Sequence, residues 1–283
     1  MAVCYRHPSR ETGVSCSNCG RPICPDCMTA TPVGMRCPEC SRQRTPVRTM
    51  RNVYAEPTAT YVLIAINVLA FLGAWISGGD TSSVYIDLGT IGHGQVFDGT
   101  QVSPIGVADG EYWRLITGAF LHDPNNPLHI LFNMYLLYLL GRMLEPSLGH
   151  VRFVALYFAS LLAGSFGALV AAPGELTVGA SGAVFGLMAA AFVLQRARGI
   201  DPWRSGIGPL IIFNLALPFV FPGLNISIGG HVGGLIGGAL AAIAIDRLAV
   251  VRRGDLLPVL ACVAIALVSI VGAVAVADGS GIG

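Results

Sequence analysis

The stretch V-G-A-S-G-A-V-F-G-L, residues 178–187, places one hydroxyl, that of Ser181, among small residues inside a run apolar enough to lie in a membrane. A lone serine in such a helix ordinarily bonds a carbonyl one turn back or lets a neighbouring helix approach. It becomes a nucleophile only if a base and an anion-stabilising group share its depth. The rest of the chain therefore has to be sorted by depth.

Composition sets the solvent. Hydrophobic residues make up 53% of the 283 and charged residues 12%, with a mean hydropathy of +0.66. That balance excludes an ordinary soluble domain and predicts an all-α polytopic membrane protein. The 36 glycines suit helices that approach closely in lipid. A run of about 20 apolar residues crosses a bilayer, and the candidates are 61–77, 128–144, 151–172, 178–195, 207–221, 229–245 and 256–277, of which the fifth is short.

Basic residues orient the spans, because Arg is retained on the cytoplasmic side. Arg48 and Arg51 precede the first span, Arg142 and Arg152 flank the turn between the second and third, Arg196, Arg198 and Arg204 lie between the fourth and fifth, and Arg247, Arg252 and Arg253 between the sixth and seventh. The opposite connections hold Arg114 beside Asp80, Asp87, Asp98, Asp109, Glu111, Asp123 and Glu175. The expectation is a multi-pass protein of the cell membrane, N-terminus cytoplasmic and C-terminus extracytoplasmic. Its first residues include Cys, His and Arg rather than a basic stub and an apolar core, so no secretory signal is expected. In the long outer segment 78–127, E-Y-W-R-L-I-T-G-A-F-L (111–121) reads either as an interfacial element with Tyr112 and Trp113 at headgroup level or as a bare amphipathic loop.

On this topology spans two, four and six all run from outside to inside. Ser181 is expected about four residues into span four, roughly 6 Å down at 1.5 Å per residue. His231, in I-G-G-H-V-G-G, opens span six, and His129 and Asn133, in L-H-I-L-F-N, open span two on one face. Each has a packing explanation taken singly; at matched depth they make a site. Ser181 is then the nucleophile and His231 the general base. The Asn133 amide, a His129 N–H and the backbone N–H of Ser181 suit a developing oxyanion, and the positive ends of the three helices favour negative charge there. Gly182 and Gly186, with Gly230, Gly234 and Gly238, should let the two helices meet at short range. No Asp or Glu occupies the layer, so a dyad is expected rather than a triad. A transporter would carry its polar groups nearer the midplane.

The first 44 residues have another chemistry. Seven of the eight Cys fall there, in pairs with two residues between: Cys4 and His7, Cys16 and Cys19, Cys24 and Cys27, Cys37 and Cys40. Eight such donors suit two structural Zn2+ ions, with no cofactor needed for catalysis. A disulfide framework leaves His7 unexplained. So short a segment needs the metal to fold. The expected organisation is a zinc-binding domain over 1–44, a juxtamembrane linker over 45–57, a six-helix core over 58–250, and a seventh helix with its tail over 251–283. The head is expected to serve either as a docking domain for a cytoplasmic protein partner or as a stabilising cap. It lacks the aromatic platform of a nucleic-acid binder.

Two resemblances add to this. The head resembles a B-box-type zinc finger, which implies interleaved ligands: Cys4, His7, Cys24 and Cys27 on one ion, Cys16, Cys19, Cys37 and Cys40 on the other. The membrane part resembles the rhomboid intramembrane serine proteases at W-R (Trp113, Arg114), H-I-L-F-N (129–133), G-A-S-G-A-V-F-G (179–186) and G-G-H-V-G-G (229–234). That resemblance, over about residues 58–250, implies a rhomboid-like bundle of six helices, a Ser181–His231 dyad with His129 and Asn133 at the oxyanion, and cleavage of other proteins' transmembrane segments near their outer ends. His122 resembles a structural histidine of the family, across a longer gap to His129, and Glu145 a structural acidic position. The competing reading is a catalytically silent membrane-helix binder that recruits partners through its head.

Overall fold

The computed structural model describes residues 2–42, 56–97, 99–221, 226–251 and 254–280, in two compact units, Met1–Val53 and Tyr54–Gly283. Of the expected linker, residues 45–55 lie outside the described residues.

In the first unit, β1 (Ala2–Val3) pairs antiparallel with β2 (Glu11–Thr12), and β3 (Thr29–Thr31) with β4 (Gly34–Arg36), ahead of helix α1 (Pro38–Arg42). Its buried apolar cluster consists of Ile23 and six of the cysteines. A core with one buried aliphatic side chain cannot by itself offset the entropy of ordering the segment.

The second unit opens with α2 (Thr58–Ile76). A long connection follows, containing α3 (Ser83–Leu88), an antiparallel hairpin of β5 (Gly94–Phe97) and β6 (Val102–Ile105), and α4 (Arg114–Thr117). Then come α5 (Pro127–Leu148), α6 (His150–Ala171), α7 (Ser181–Ala197), α8 (Ile207–Val220), α9 (Ile228–Val251) and α10 (Leu256–Ser280). The seven long helices fall on the seven expected spans. Five are long and apolar enough to cross a bilayer. Helices α7 and α8 have 17 and 14 residues, hence lengths of about 26 and 21 Å, short of the ~30 Å hydrocarbon core.

Helix α7 is central, and from Ala183 to Ala191 every residue is buried. It meets α6 and α9 backbone to backbone. A Cβ on Gly182 would lie 3.2 Å from Gly164 Cα on α6 and 3.3 Å from Gly230 O on α9. Lipid offers no hydrophobic drive for such contacts, so dispersion and Cα–H···O contacts at close range hold them. Helix α10 lies against α6, its Gly272 on Phe166, with an ion pair from Arg152 Nε to Asp255 Oδ1 at 2.7 Å at one end. Helix α8 buries Ile207, Gly208, Ile211 and Asn214 and leaves Ile212, Phe213, Phe219 and Val220 exposed.

Glu145, at the end of α5, is fully buried. It accepts from Ala59 N and Thr60 N, both at 2.8 Å, from Thr60 Oγ1 at 2.5 Å, and pairs with His150 Nδ1 at 2.5 Å. The carboxylate thus caps the N-terminus of α2, whose first N–H groups have no partner in their own helix.

The 111–121 segment is a built element. Arg114 is fully buried; its Nε donates to Glu111 Oε2 at 2.6 Å and one terminal nitrogen to Ile86 O and Gly89 O at 2.6 and 3.0 Å. One guanidinium therefore ties α4 to the turn after α3, while Tyr112 and Trp113 face outward.

Candidate active site and metal clusters

Ser181 does not lie four residues inside its helix, as expected from the apolar run; it is the first residue of α7. Residues 178–180 are as apolar as a helix, but the outer segment captures their approach. Thr90 and Thr177 exchange N–H···O bonds of 3.0 and 2.7 Å, and Gly179 N donates to Gly118 O at 3.0 Å. Gly179 sits at φ +125°, where a side chain is strained, and a Cβ there would meet His129 Nε2 at 2.8 Å. The first backbone bond of the helix runs from Val184 N to Ala180 O. Among the described residues, the N–H groups of Ser181, Gly182 and Ala183 therefore have no hydrogen-bond partner. Three free donors at the positive end of a helix stand beside the hydroxyl, an arrangement that favours an anion.

His231 opens α9. Ser227 caps that helix, its Oγ accepting from Gly230 N at 3.2 Å. The imidazole is buried and stacks on Phe185, centroids 4.0 Å apart and planes at 22°. Phe185 stands one turn below Ser181 on the same face of α7, so the stack sets His231 over that face. His231 Nδ1 is buried without a hydrogen-bond partner; among the described residues no carboxylate bonds the ring, which fits two members rather than three. Among the described residues no hydrogen bond joins Ser181 to His231, and catalytic pairs without substrate are commonly loose.

On α5, the His129 ring packs against Gly179, and Asn133, one turn on, is buried with its Nδ2 on His129 O at 2.9 Å. His122 meets His129 edge-on at 5.0 Å and accepts from Ala180 N at 3.5 Å. The longer gap between the two histidines is taken up by a turn in which Asp123 accepts from Asn125 N and Asn126 N. Burial, and to a lesser degree His129, holds the pKa of His122 down to about 3; it is a neutral wedge against Ala180, the residue before α7. A pocket of about 30 Å³ opens beside Ser181, with Thr90, Ser165, Thr177 and Ser227 among its lining residues, room for one water.

Sequence reasoning missed Phe185, Thr90, Thr177 and Gly118. Only Phe185 was discoverable, from its four-residue spacing to Ser181.

In the first unit the ligand-type residues form two groups that can hold metal ions: Cys4, His7, Cys24 and Cys27, and Cys16, Cys19, Cys37 and Cys40, the donor atoms of each within 4.8 Å of one another. His7 Nδ1 lies 3.3, 3.5 and 3.9 Å from the sulfurs of Cys24, Cys27 and Cys4, and Cys19 Sγ 3.8 Å from Cys37 Sγ. The grouping is interleaved. All eight cysteines are free thiols. Cys37 N and Cys40 N donate to Cys16 Sγ and Cys37 Sγ at 3.3 and 3.4 Å, bonds that favour thiolate.

The family described as Rhomboid domain matches residues 109–247. Rhomboid protease GluP of Bacillus subtilis is 35% identical over 191 residues, 67% of this chain and 35% of the relative. Rhomboid protease GlpG of Haemophilus influenzae is 30% identical over 136 residues, 47% of this chain and 69% of the relative. Rhomboid-like protease 1 of Toxoplasma gondii is 33% identical over 141 residues, 47% and 46%. The chain thus spans about a third of the Bacillus relative and over two thirds of the Haemophilus one. A serine at the mouth of a central helix, a histidine stacked on that helix, and these matches lead to one conclusion: this chain belongs to the rhomboid family.

Proposed function

We propose that the chain is an intramembrane serine endopeptidase that cuts transmembrane segments of other membrane proteins near the extracytoplasmic face. The observation that carries this is the first turn of α7, where the half-buried Ser181 stands among three unpartnered N–H groups, its own included, with His231 stacked one turn below. His231 Nε2 takes the Ser181 proton as Oγ bonds to the scissile carbonyl carbon. The resulting oxyanion accepts from the Ser181 N–H and from His129 and Asn133. His231 then passes its proton to the leaving amine, and a water activated by the same ring hydrolyses the ester, returning the proton to Ser181. The small pocket beside Ser181 offers that water a polar seat.

The Arg distribution supports a cytoplasmic N-terminus and an extracytoplasmic C-terminus in the cell membrane. We assign the divisions 1–44, 45–57, 58–250 and 251–283 to zinc domain, linker, six-helix protease core and seventh helix. For the head we propose two structural Zn2+ ions: donor separations of 3.3–3.9 Å are close to the ~3.8 Å edge of a tetrahedron with ~2.3 Å metal–sulfur bonds. The proposed role of the domain is docking a cytoplasmic protein. Nothing in the site favours the silent binder.

The test is cleavage of a reporter single-span protein in liposomes, with a fluorophosphonate probe alongside. Ser181→Ala and His231→Ala should each abolish cleavage with the fold retained, and Ser181 should carry the label. Full cleavage by either variant removes the dyad.

A further inference from the structure

Helices α7, α8 and α9 enclose a second cleft, about 250 Å³ and lined by apolar side chains, among them Ala189, Phe192, Ile211, Leu235 and Ala239, with Trp203 at its edge. It exists because α8 is short and leans on α7 mainly through its first two turns. The Trp203 ring lies over Gly208, where a Cβ would come 2.5 Å from the indole Cε3, and stands edge-on to Phe192 at 5.9 Å. Trp203 is 55% exposed, the position of an indole at the headgroup boundary. Water has no polar partner in the cleft and does not stabilise it.

The edge beside Trp203 is basic. Arg196 follows Phe192 by one turn on the same face of α7, Arg198 is the residue just after that helix, and Arg204 adjoins Trp203; all three are exposed. Asp201 is the acid among them, 3.6 Å from Arg204, and on α9 Asp246 and Arg247 offset each other. Three guanidinium groups against one carboxylate leave the rim with two net positive charges. The seven steps from Ala189 to Arg196 span about 10 Å of helix, so charge and apolar floor are separated by the upper part of one acyl chain.

We infer that this cleft is a binding site for an anionic glycerophospholipid, its phosphate among Arg196, Arg198 and Arg204 and one acyl chain between α8 and α9. Any bilayer lipid fills the apolar floor; the rim selects negative headgroups, as basic pockets between membrane helices do. The site is separate from Ser181 and does not depend on the proposed chemistry. Its occupant completes the packing of α8 that protein side chains leave open.

The test uses the full chain with Trp75→Phe and Trp113→Phe, which leaves Trp203 as the single indole of the three, in phosphatidylcholine vesicles. Trp203 fluorescence is quenched by a small mole fraction of dibrominated phosphatidylglycerol or, in parallel, dibrominated phosphatidylcholine. Phosphatidylglycerol should quench at about one tenth the mole fraction that phosphatidylcholine requires. The exposed triple variant Arg196→Gln/Arg198→Gln/Arg204→Gln should equalise the two lipids, and Ala239→Phe, which fills the floor, should weaken quenching by both. Equal quenching in the parent, or a preference that survives the triple variant, overturns the site. No quenching by either lipid also overturns it and would mean that protein covers the cleft.

Discussion

Gly234→Ala tests the link between packing and catalysis most directly. Gly234 lies three residues after His231 on α9, against the backbone of Gly182 on α7, the residue after Ser181. A Cβ added there would stand 2.6 Å from the Gly182 carbonyl carbon and 2.9 Å from its Cα, and would press on its carbonyl oxygen. Carbon atoms settle at about 3.5–4.0 Å, so α9 must retreat by roughly 1 Å, and the base retreats with it. A misplacement of about 1 Å costs on the order of 10²-fold in rate, about 2.7 kcal/mol of activation free energy. Overpacking costs about 1–3 kcal/mol of stability, against which alanine's better helix propensity returns up to ~1. Rate should therefore fall far more than stability. The comparison variant is Gly73→Ala on α2, where a Cβ has nothing within 4 Å; it should keep its rate. The assay is reporter cleavage in liposomes paired with thermal unfolding of the same preparations. If Gly234→Ala cleaves within twofold of the parent, backbone contact does not set the distance between nucleophile and base.

Three further outcomes are expected. Glu145→Gln removes charge from a carboxylate that accepts three protein hydrogen bonds, and should cost about 3 kcal/mol, read as a lower unfolding temperature; no change would deny that Glu145 docks α2. His122, about 3 in the fold and near 6.5 unfolded, favours its neutral form when folded, so its contribution is complete above about pH 6.5 and is lost at up to ~1.4 kcal/mol per unit as pH falls toward 3. His122→Gln should flatten that acid limb, and an unchanged slope would place the titrating group elsewhere. Chelation of the purified chain should release two metal equivalents and unfold the first unit, while Cys16→Ser leaves about one; unchanged metal content in that variant would deny the second cluster.

The seven helices were legible because membrane spans announce themselves by length and hydropathy, and the ligand pairs of the head by spacing. The start of α7 was not, since Val178, Gly179 and Ala180 carry no polar mark; the bonds of Thr177 to Thr90 and of Gly179 to Gly118 are contacts between segments about 60 to 90 residues apart in the chain. The same applies to β5 and β6, which a reading by span assigns to loop. Topology was enough to group the polar residues Ser181, His231, His129 and Asn133 as a candidate site, whereas Phe185, which stacks on His231, is marked in the sequence only by its four-residue spacing to Ser181. Arg114 was visible as a motif, whereas its acceptors, the carbonyls of Ile86 and Gly89, belong to any sequence.

The glycine joint between α7 and α9 has a thermodynamic consequence. Gly182 and Gly234 lose no rotamers when the helices meet, and there is nothing on either side to repack. The spacing of Ser181 and His231 is set by the radii of carbonyl and α-carbon atoms, quantities that neither warming nor a change of lipid adjusts. Any motion that admits a substrate to the proposed site then falls to elements held by side chains and lipid, α8 foremost, while the proposed pair stays on a gauge made of backbone.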